Sequence, residues 1–277
     1  MSYVDALLLA VLQGITEFLP VSSSGHLILA QHMLGRSADI DLVYDILLHV
    51  ATAGAVLTYF RSDVVELWHG LTKPSAASGG TFAGRERQAL GFIVLAQVPT
   101  LILGLGIERH LTSIVTRPGV VGGMLMLTGC LLWSARARLA VRSIADMRSV
   151  DALAIGVLQG VAIVPGISRA GATITGGLLL GLERELVTRF SLLISIPAVL
   201  GAAVLQAVKL WAGRDGVIYA EPWPSMGPYV AGMVLAAVIG YLSIGLILRA
   251  VRQNYFHLFA WYLWPVGLVA MLGSFVW

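Results

Sequence analysis

Glu17 and Arg169 carry the most chemical content in this sequence, because each is an ionisable side chain set within a long apolar stretch. A charge near the middle of a bilayer costs about 2.5–3.5 kcal/mol even on the most lenient insertion scale, so each needs a partner or a task. A structural ion pair tying two halves of a molecule together is the plain reading. Their neighbours favour a chemical one. Gln13 precedes Glu17 by one helical turn, so a helix puts both on one face. Ser22, Ser23, Ser24, Gly25 and His26 follow directly. Around Arg169 stand Gly166, Ser168, Gly171 and Thr173. A guanidinium fork matches two phosphate oxygens at once. Free backbone N–H groups at helix starts draw anions, and glycine lets the backbone come close to a ligand. These are the parts of a phosphate-handling site.

Phosphoryl transfer asks mainly for positioning and charge stabilisation. The catalytic candidates are Glu17, Ser23, His26 and Arg169. Ser23 is the candidate nucleophile, with Glu17 or His26 as base and the other as acid or orienter. Water, or His26 itself, stands as the alternative nucleophile. Gln13, Ser22, Ser24, Gly25, Gly166, Ser168 and Thr173 are the candidate phosphate-binding residues. A divalent cation, Mg or Ca, would bridge Glu17 and the phosphate, although no metal-ligand spacing in the sequence demands one. His26 also reads as a structural hydrogen-bond donor. His49, one turn after Asp45, reads as no more than a residue lining the cavity, and the lone Cys130 reads as packing.

The elements that position these residues must be membrane helices. Of the 277 residues 57% are hydrophobic and 12% charged, about half the charge of a soluble domain, and the mean hydropathy is +0.85. Apolar stretches of roughly 18–23 residues recur at about 42–60, 88–107, 118–135, 186–208, 227–248 and 258–276, each enough to cross a bilayer. Residues 5–34 and 151–182 do not fit a plain crossing. Each is an apolar run broken at a proline, Pro20 or Pro165, and resumed after serine. Proline removes a donor and disfavours helix just before it, while serine caps the next helix. The product is helix, loop, helix, with halves too short to cross alone. Irregular backbone at membrane depth survives only in protein or beside a wet cavity, so both segments are expected to be re-entrant hairpins. The sequence therefore predicts an all-α polytopic membrane protein with six crossings and two such hairpins, in one transmembrane domain over 1–277.

The hairpins resemble each other. Val11-Leu12-Gln13-Gly14 recurs as Val157-Leu158-Gln159-Gly160, and the same offset of about 145 residues superimposes the crossings. Two repeats, about 1–140 and 146–277, follow. Three crossings separate the hairpins, so the repeats lie inverted, with a site near the midplane. Loop charge gives the orientation: twelve Lys and Arg residues, among them Lys73, Arg136, Arg138 and Arg142, fall on one side. Arg36, Arg109, Arg117, Lys209 and Arg214 fall on the other. The richer side is cytoplasmic by the positive-inside rule. Both termini and the site are then expected to face outside. Trp277, Tyr229 and Trp261 read as interfacial anchors. No basic stripe suits nucleic acid, and pairing as a homodimer is left open.

Gln13-Gly14-Ile15-Thr16-Glu17-Phe18-Leu19-Pro20-Val21-Ser22-Ser23-Ser24-Gly25-His26 resembles the first signature of the undecaprenyl pyrophosphate phosphatases of the bacitracin-resistance type. Pro165-Gly166-Ile167-Ser168-Arg169-Ala170-Gly171-Ala172-Thr173 resembles their second. The likeness covers the whole chain in length and segment order. It implies an enzyme of the bacterial inner membrane that hydrolyses a prenyl pyrophosphate carrier to the monophosphate, in support of peptidoglycan synthesis. It also implies the acidic-motif role for Gln13 and Glu17, the serine and histidine roles for Ser23 and His26, and the arginine role for Arg169. Gln13 stands where that family often has Glu, and Ala170 where it usually has Ser. The phosphatidic-acid phosphatase superfamily is excluded, since Arg117-Pro118 lacks its upstream lysine and Ser168-Arg169 lacks its following histidine. A transporter or flippase for a phosphorylated lipid or anion shares the inverted-repeat plan. The cluster of Glu, Ser and His separates the two, because a carrier needs charge but no nucleophile or base.

Overall fold

The structure is a computed structural model, and it describes residues 1–33, 42–72, 81–82, 84–138, 140–211 and 226–274. Arg36, Lys73 and Arg214 of the charge count, and the anchor Trp277, lie outside the described residues. Helices follow one another as α1 (Tyr3–Thr16), α2 (Ser23–Met33), α3 (Leu42–Tyr59), α4 (Arg61–Thr72), α5 (Glu86–Val115) and α6 (Pro118–Ser134). Then come α7 (Ser149–Val161), α8 (Arg169–Leu179), α9 (Arg184–Trp211), α10 (Met226–Arg252) and, after a single 3₁₀ turn, α11 (Ala260–Gly273). Among the described residues there is no strand, only an isolated bridge between Arg142 and Leu182.

Helix starts follow local chemistry. The Ser2 hydroxyl accepts from the Asp5 N–H at 3.2 Å and caps α1. Pro118 opens α6, where its missing N–H costs nothing, and holds Arg117 extended. The Asp151 carboxylate reaches back to the Arg148 N–H at 2.8 Å to seat α7. Both expected breaks occur: α1 stops at Thr16 and α2 starts at Ser23, and α7 stops at Val161 and α8 starts at Arg169. Pro99 and Pro197 lie within α5 and α9, which continue as helix past them.

Among the described residues four helices are long and apolar enough to cross a membrane: Glu86–Ile107, Arg184–Lys209, Met226–Arg252 and Phe256–Gly273. Val43–Tyr59 joins them only with Arg61–Gly70, to which it is bent by 74°. The helix over Pro118–Ser134 is apolar but shorter, as are Tyr3–Thr16 and Ser149–Val161. Large apolar side chains such as Ile102, Leu242 and Val269 are more than half exposed on the outside of the bundle. That is the pattern of a protein whose solvent is hydrocarbon.

The first hairpin lays α1 along α10, and the second lays α7 along α5, while α6 pairs with α11 and α3 packs against α9 and α10. Phe18, Phe60, Phe190 and Phe256 fill one continuous core. At one end an ionic knot binds three helices: Arg189 of α9 reaches the buried Asp63 of α4 at 2.7 and 3.0 Å, while Glu185 receives Arg189 and Arg252. Close by, Arg142 ties Asp151 at 2.6 Å to the Leu180 carbonyl, also at 2.6 Å.

Candidate active site

The last turn of α1 and the loop after it deliver the acidic half of the site. Gln13, fully buried, donates its side-chain N–H to Glu17 Oε2 at 3.0 Å, as the one-turn spacing requires. After Pro20 the chain turns sharply, and Ser22 takes a positive φ of 70°. Such a conformation costs a non-glycine residue about 1–3 kcal/mol and persists only where surroundings impose it. Here they do. The Ser22 hydroxyl accepts the Gly25 N–H at 3.4 Å and the Gly166 N–H, from the opposite hairpin, at 3.0 Å. Its carbonyl accepts His26 Nδ1 at 2.8 Å. The turn aims Ser23 back at the carboxylate, and Ser23 Oγ donates to Glu17 Oε2 at 2.7 Å.

The second hairpin delivers the basic half. Gly166 has φ 94°, and a Cβ there would stand 2.5 Å from the Val121 carbonyl oxygen and 2.6 Å from Met124 Cβ. Only glycine fits that turn. Ser168 caps α8 by accepting the Gly171 N–H at 3.0 Å. Arg169, the first residue of α8, then reaches across to Glu17 Oε1 at 2.5 Å. Both side chains are largely buried, at 17% and 6% exposure. The carboxylate thus holds a guanidinium on one oxygen and an amide and a hydroxyl on the other.

A cavity of about 320 Å³ opens beside this pair. Glu17, Ser22, Ser23, Ser24, Ser168 and Arg169 line it, so the structure brings together most of the residues the sequence singles out. The remaining ones do not face it. Gln13 stands behind Glu17. Gly25 and Gly166 face each other, since a Cβ on Gly25 would lie 3.0 Å from Gly166 Cα, so they close the contact between hairpins. Thr173 donates to the Arg169 carbonyl at 2.8 Å and shares a 2.5 Å hydrogen bond with Ser191, which anchors the start of α8.

The expected convergence of His26 with Glu17 and Ser23 is not what the structure holds. His26 is absent from the cavity wall. Nδ1 is on the Ser22 carbonyl, and Nε2 receives the Tyr262 hydroxyl of α11 at 2.8 Å, with the rings stacked 5.7 Å apart. Both ring nitrogens are engaged, and the imidazole supports the strained turn at Ser22.

Sequence reasoning undervalued two groups. His49 Nε2 lies 3.7 Å from Glu17 Oε2, and His49 and Asp45 both line the cavity. Their one-turn spacing in an apolar helix was the available signal. Thr128 of α6 was missed: it donates to the Gly166 carbonyl at 2.8 Å and accepts the Ser168 N–H at 3.1 Å, clamping the second loop. A lone threonine in an apolar helix gives no such signal in sequence.

The cavity wall also carries apolar and small side chains, among them Ile46, Ala198, Val199 and Ala202.

The chain is similar to known proteins over almost its full length. The family model described as bacitracin resistance protein BacA matches residues 6–269. An undecaprenyl-diphosphatase of Desulfosudis oleivorans is 40% identical over 281 residues, covering 98% of each chain. That of Alkaliphilus metalliredigens is 36% identical over 279 residues, covering 99% of each. That of Syntrophotalea carbinolica is 40% identical over 268 residues, covering 96% of this chain and 97% of its own. Family and apolar helices together make this an integral membrane protein. With both hairpin signatures inside the matched span, the chain belongs to the BacA bacitracin-resistance family.

Proposed function

We propose that this protein is an undecaprenyl-diphosphatase of the bacterial inner membrane, which hydrolyses undecaprenyl pyrophosphate to undecaprenyl phosphate and inorganic phosphate and so returns the carrier to cell-wall synthesis. The observation that carries this reading is the Glu17–Arg169 pair, whose free edge lines a cavity together with the Ser23 hydroxyl. The relatives named undecaprenyl-diphosphatase support it across their whole length.

In this reading the terminal phosphate takes the place of Glu17 on Arg169, whose fork then holds two phosphate oxygens. The starts of α2 and α8 offer further N–H groups to the same anion. Release of Arg169 frees Glu17 to accept a proton from the nucleophile, which is the Ser23 hydroxyl or a water held beside it. Developing charge on the transferred group is met by Arg169. His26 is a positioning residue, holding the Ser22 turn from which Ser23 projects. The prenyl chain lies along Ile46, Ala198 and Ala202 and out between helices.

A Mg or Ca ion carried in by the pyrophosphate would find Glu17 on the cavity wall. Among the described residues no cluster of three His, Cys, Asp or Glu side chains is spaced to hold an ion without substrate. Such an ion would supply charge neutralisation to the phosphate oxygens.

The topology we assign has six crossings and two re-entrant hairpins, in inverted repeats over about 1–140 and 146–277. What supports it is the correspondence of α1 on α10 with α7 on α5, and the break of each hairpin at its proline. Both termini and the mouth of the site face outward. Phosphate release from a long prenyl pyrophosphate by the purified protein tests the activity. Movement of the lipid across sealed vesicles without hydrolysis would replace it by the carrier reading.

A further inference from the structure

His49 and Asp45 share the cavity with Glu17, Ser23 and Arg169. They lie one turn apart on α3, inside an otherwise apolar face. His49 Nδ1 is 2.9 Å from the Asp45 carbonyl oxygen and 3.6 Å from its carboxylate. A carbonyl oxygen only accepts, so this contact keeps a proton on Nδ1 and leaves Nε2 as the atom that gains and loses one. Nε2 points at Glu17 Oε2, 3.7 Å away, the same oxygen that accepts Ser23 Oγ at 2.7 Å. The gap exceeds a hydrogen bond, and such catalytic contacts commonly tighten when substrate arrives.

We infer that His49, its ring fixed by Asp45, is a further acid–base group of this site, taking up through Glu17 the proton that the nucleophile releases. The inference rests on the phosphatase reading and deepens it. A nucleophile hydrogen-bonded to a base that a further group supports is the recurrent arrangement by which weak oxygen nucleophiles are activated; here Glu17 touches Ser23 and His49 stands behind Glu17. Glu17 alone is a poor store for the proton, because Arg169 returns to it when the phosphate leaves and pairs with its ionised form. The imidazole has one free nitrogen and its side chain is 26% exposed to the cavity, so it can pass a proton onward to water.

The step balances. The nucleophile's oxygen bonds to the terminal phosphorus while the bond from that phosphorus to the bridging oxygen breaks. The bridging oxygen leaves with its electron pair as prenyl phosphate. The nucleophile's proton passes to Glu17 and on to His49 Nε2, and then to water. Where Ser23 is the nucleophile, water attacks the phosphoserine in a second step: its oxygen bonds to phosphorus, the bond from phosphorus to Ser23 Oγ breaks, Glu17 takes the water's proton, and that proton is returned to Ser23 Oγ. The charged groups facing His49 are Asp45 on its own helix, Glu17 from the first hairpin and Arg169 from α8. The wall contributed by α9 is Ala198, Val199, Ala202, Ala203 and Gln206, with no titrating side chain.

Phosphate release from a prenyl pyrophosphate, followed against pH for the wild-type protein, His49→Gln, His49→Ala and Asp45→Asn, tests this. His49→Gln is expected to lower kcat about 100-fold, leave KM little changed and abolish a limb of the pH profile. Added imidazole is expected to restore part of the activity of His49→Ala, and Asp45→Asn to show a smaller loss of kcat. Wild-type kcat and an unaltered pH profile in His49→Gln overturn the inference while the phosphatase reading stands. A His49→Ala protein with unchanged Tm that gains nothing from imidazole also overturns it. No phosphate release from the wild-type protein overturns both.

Discussion

Arg169 donates to Glu17 Oε1 at 2.5 Å across 152 residues of chain, joining the tips of two separate hairpins. Each group is costly to bury alone, and each covers the other's charge. A buried pair of this kind is weak support for stability, since apolar replacements of both partners are often neutral. It persists here beside a cavity and a hydroxyl, where a phosphate can exchange with the carboxylate.

This gives a double-variant test. Glu17→Gln leaves Arg169 buried without its counter-charge and is expected to cost about 3–5 kcal/mol of stability. Glu17→Gln with Arg169→Gln is expected to recover most of that loss and none of the activity. Thermal unfolding in detergent measures the first effect and phosphate release the second. Recovery of activity in the double variant would make the pair structural only.

The two loops touch through glycine. Gly166→Ala would put a Cβ 2.5 Å from the Val121 carbonyl oxygen at a φ of 94°, with no flexible end to yield. A loss of about 1–3 kcal/mol is expected, together with loss of activity because Ser168 and Arg169 follow directly. Gly54→Ala, where nothing lies within 4 Å of the new Cβ, is the control and is expected to be neutral in both respects. Equal Tm for the two variants would remove the argument for a close hairpin contact.

Much of the site was legible because burying polar groups is expensive. A lone Glu and a lone Arg in apolar sequence had to meet, the one-turn spacing put Gln13 behind Glu17, and proline with serine marked both breaks. Directions were not legible. His26 sits one turn beyond Ser23 on α2, yet its ring is held away by the Ser22 carbonyl and by the Tyr262 hydroxyl of a distant helix. His49 was discounted because a mid-helix histidine says nothing about which neighbour its face meets. The 74° bend between α3 and α4 has no proline or glycine at the junction, Tyr59-Phe60-Arg61, to announce it. It is set by tertiary contacts: Phe60 is buried in the core, and Asp63 is held by Arg189.

Orientation has its own test. With Cys130 replaced, a cysteine at position 2 is expected to be modified by a membrane-impermeant reagent applied to intact cells. Cysteines in the loop 136–148 are expected to be spared. The reverse pattern would invert the molecule and put the mouth of the cavity on the cytoplasmic side.

The central claim is that Arg169 holds the phosphate through its two-pronged fork while the site cleaves the pyrophosphate. The most direct measurement is phosphate release from a long prenyl pyrophosphate by purified wild-type, Arg169→Lys and Arg169→Ala proteins, each shown to be folded by its Tm. The account predicts rapid release by the wild-type protein. It predicts that Arg169→Lys falls nearly as far as Arg169→Ala, about 100-fold or more in kcat, because a point charge does not replace a bidentate donor. Near-normal turnover by Arg169→Lys would reduce Arg169 to a structural counter-ion, and no release from the wild-type protein would contradict the account as a whole.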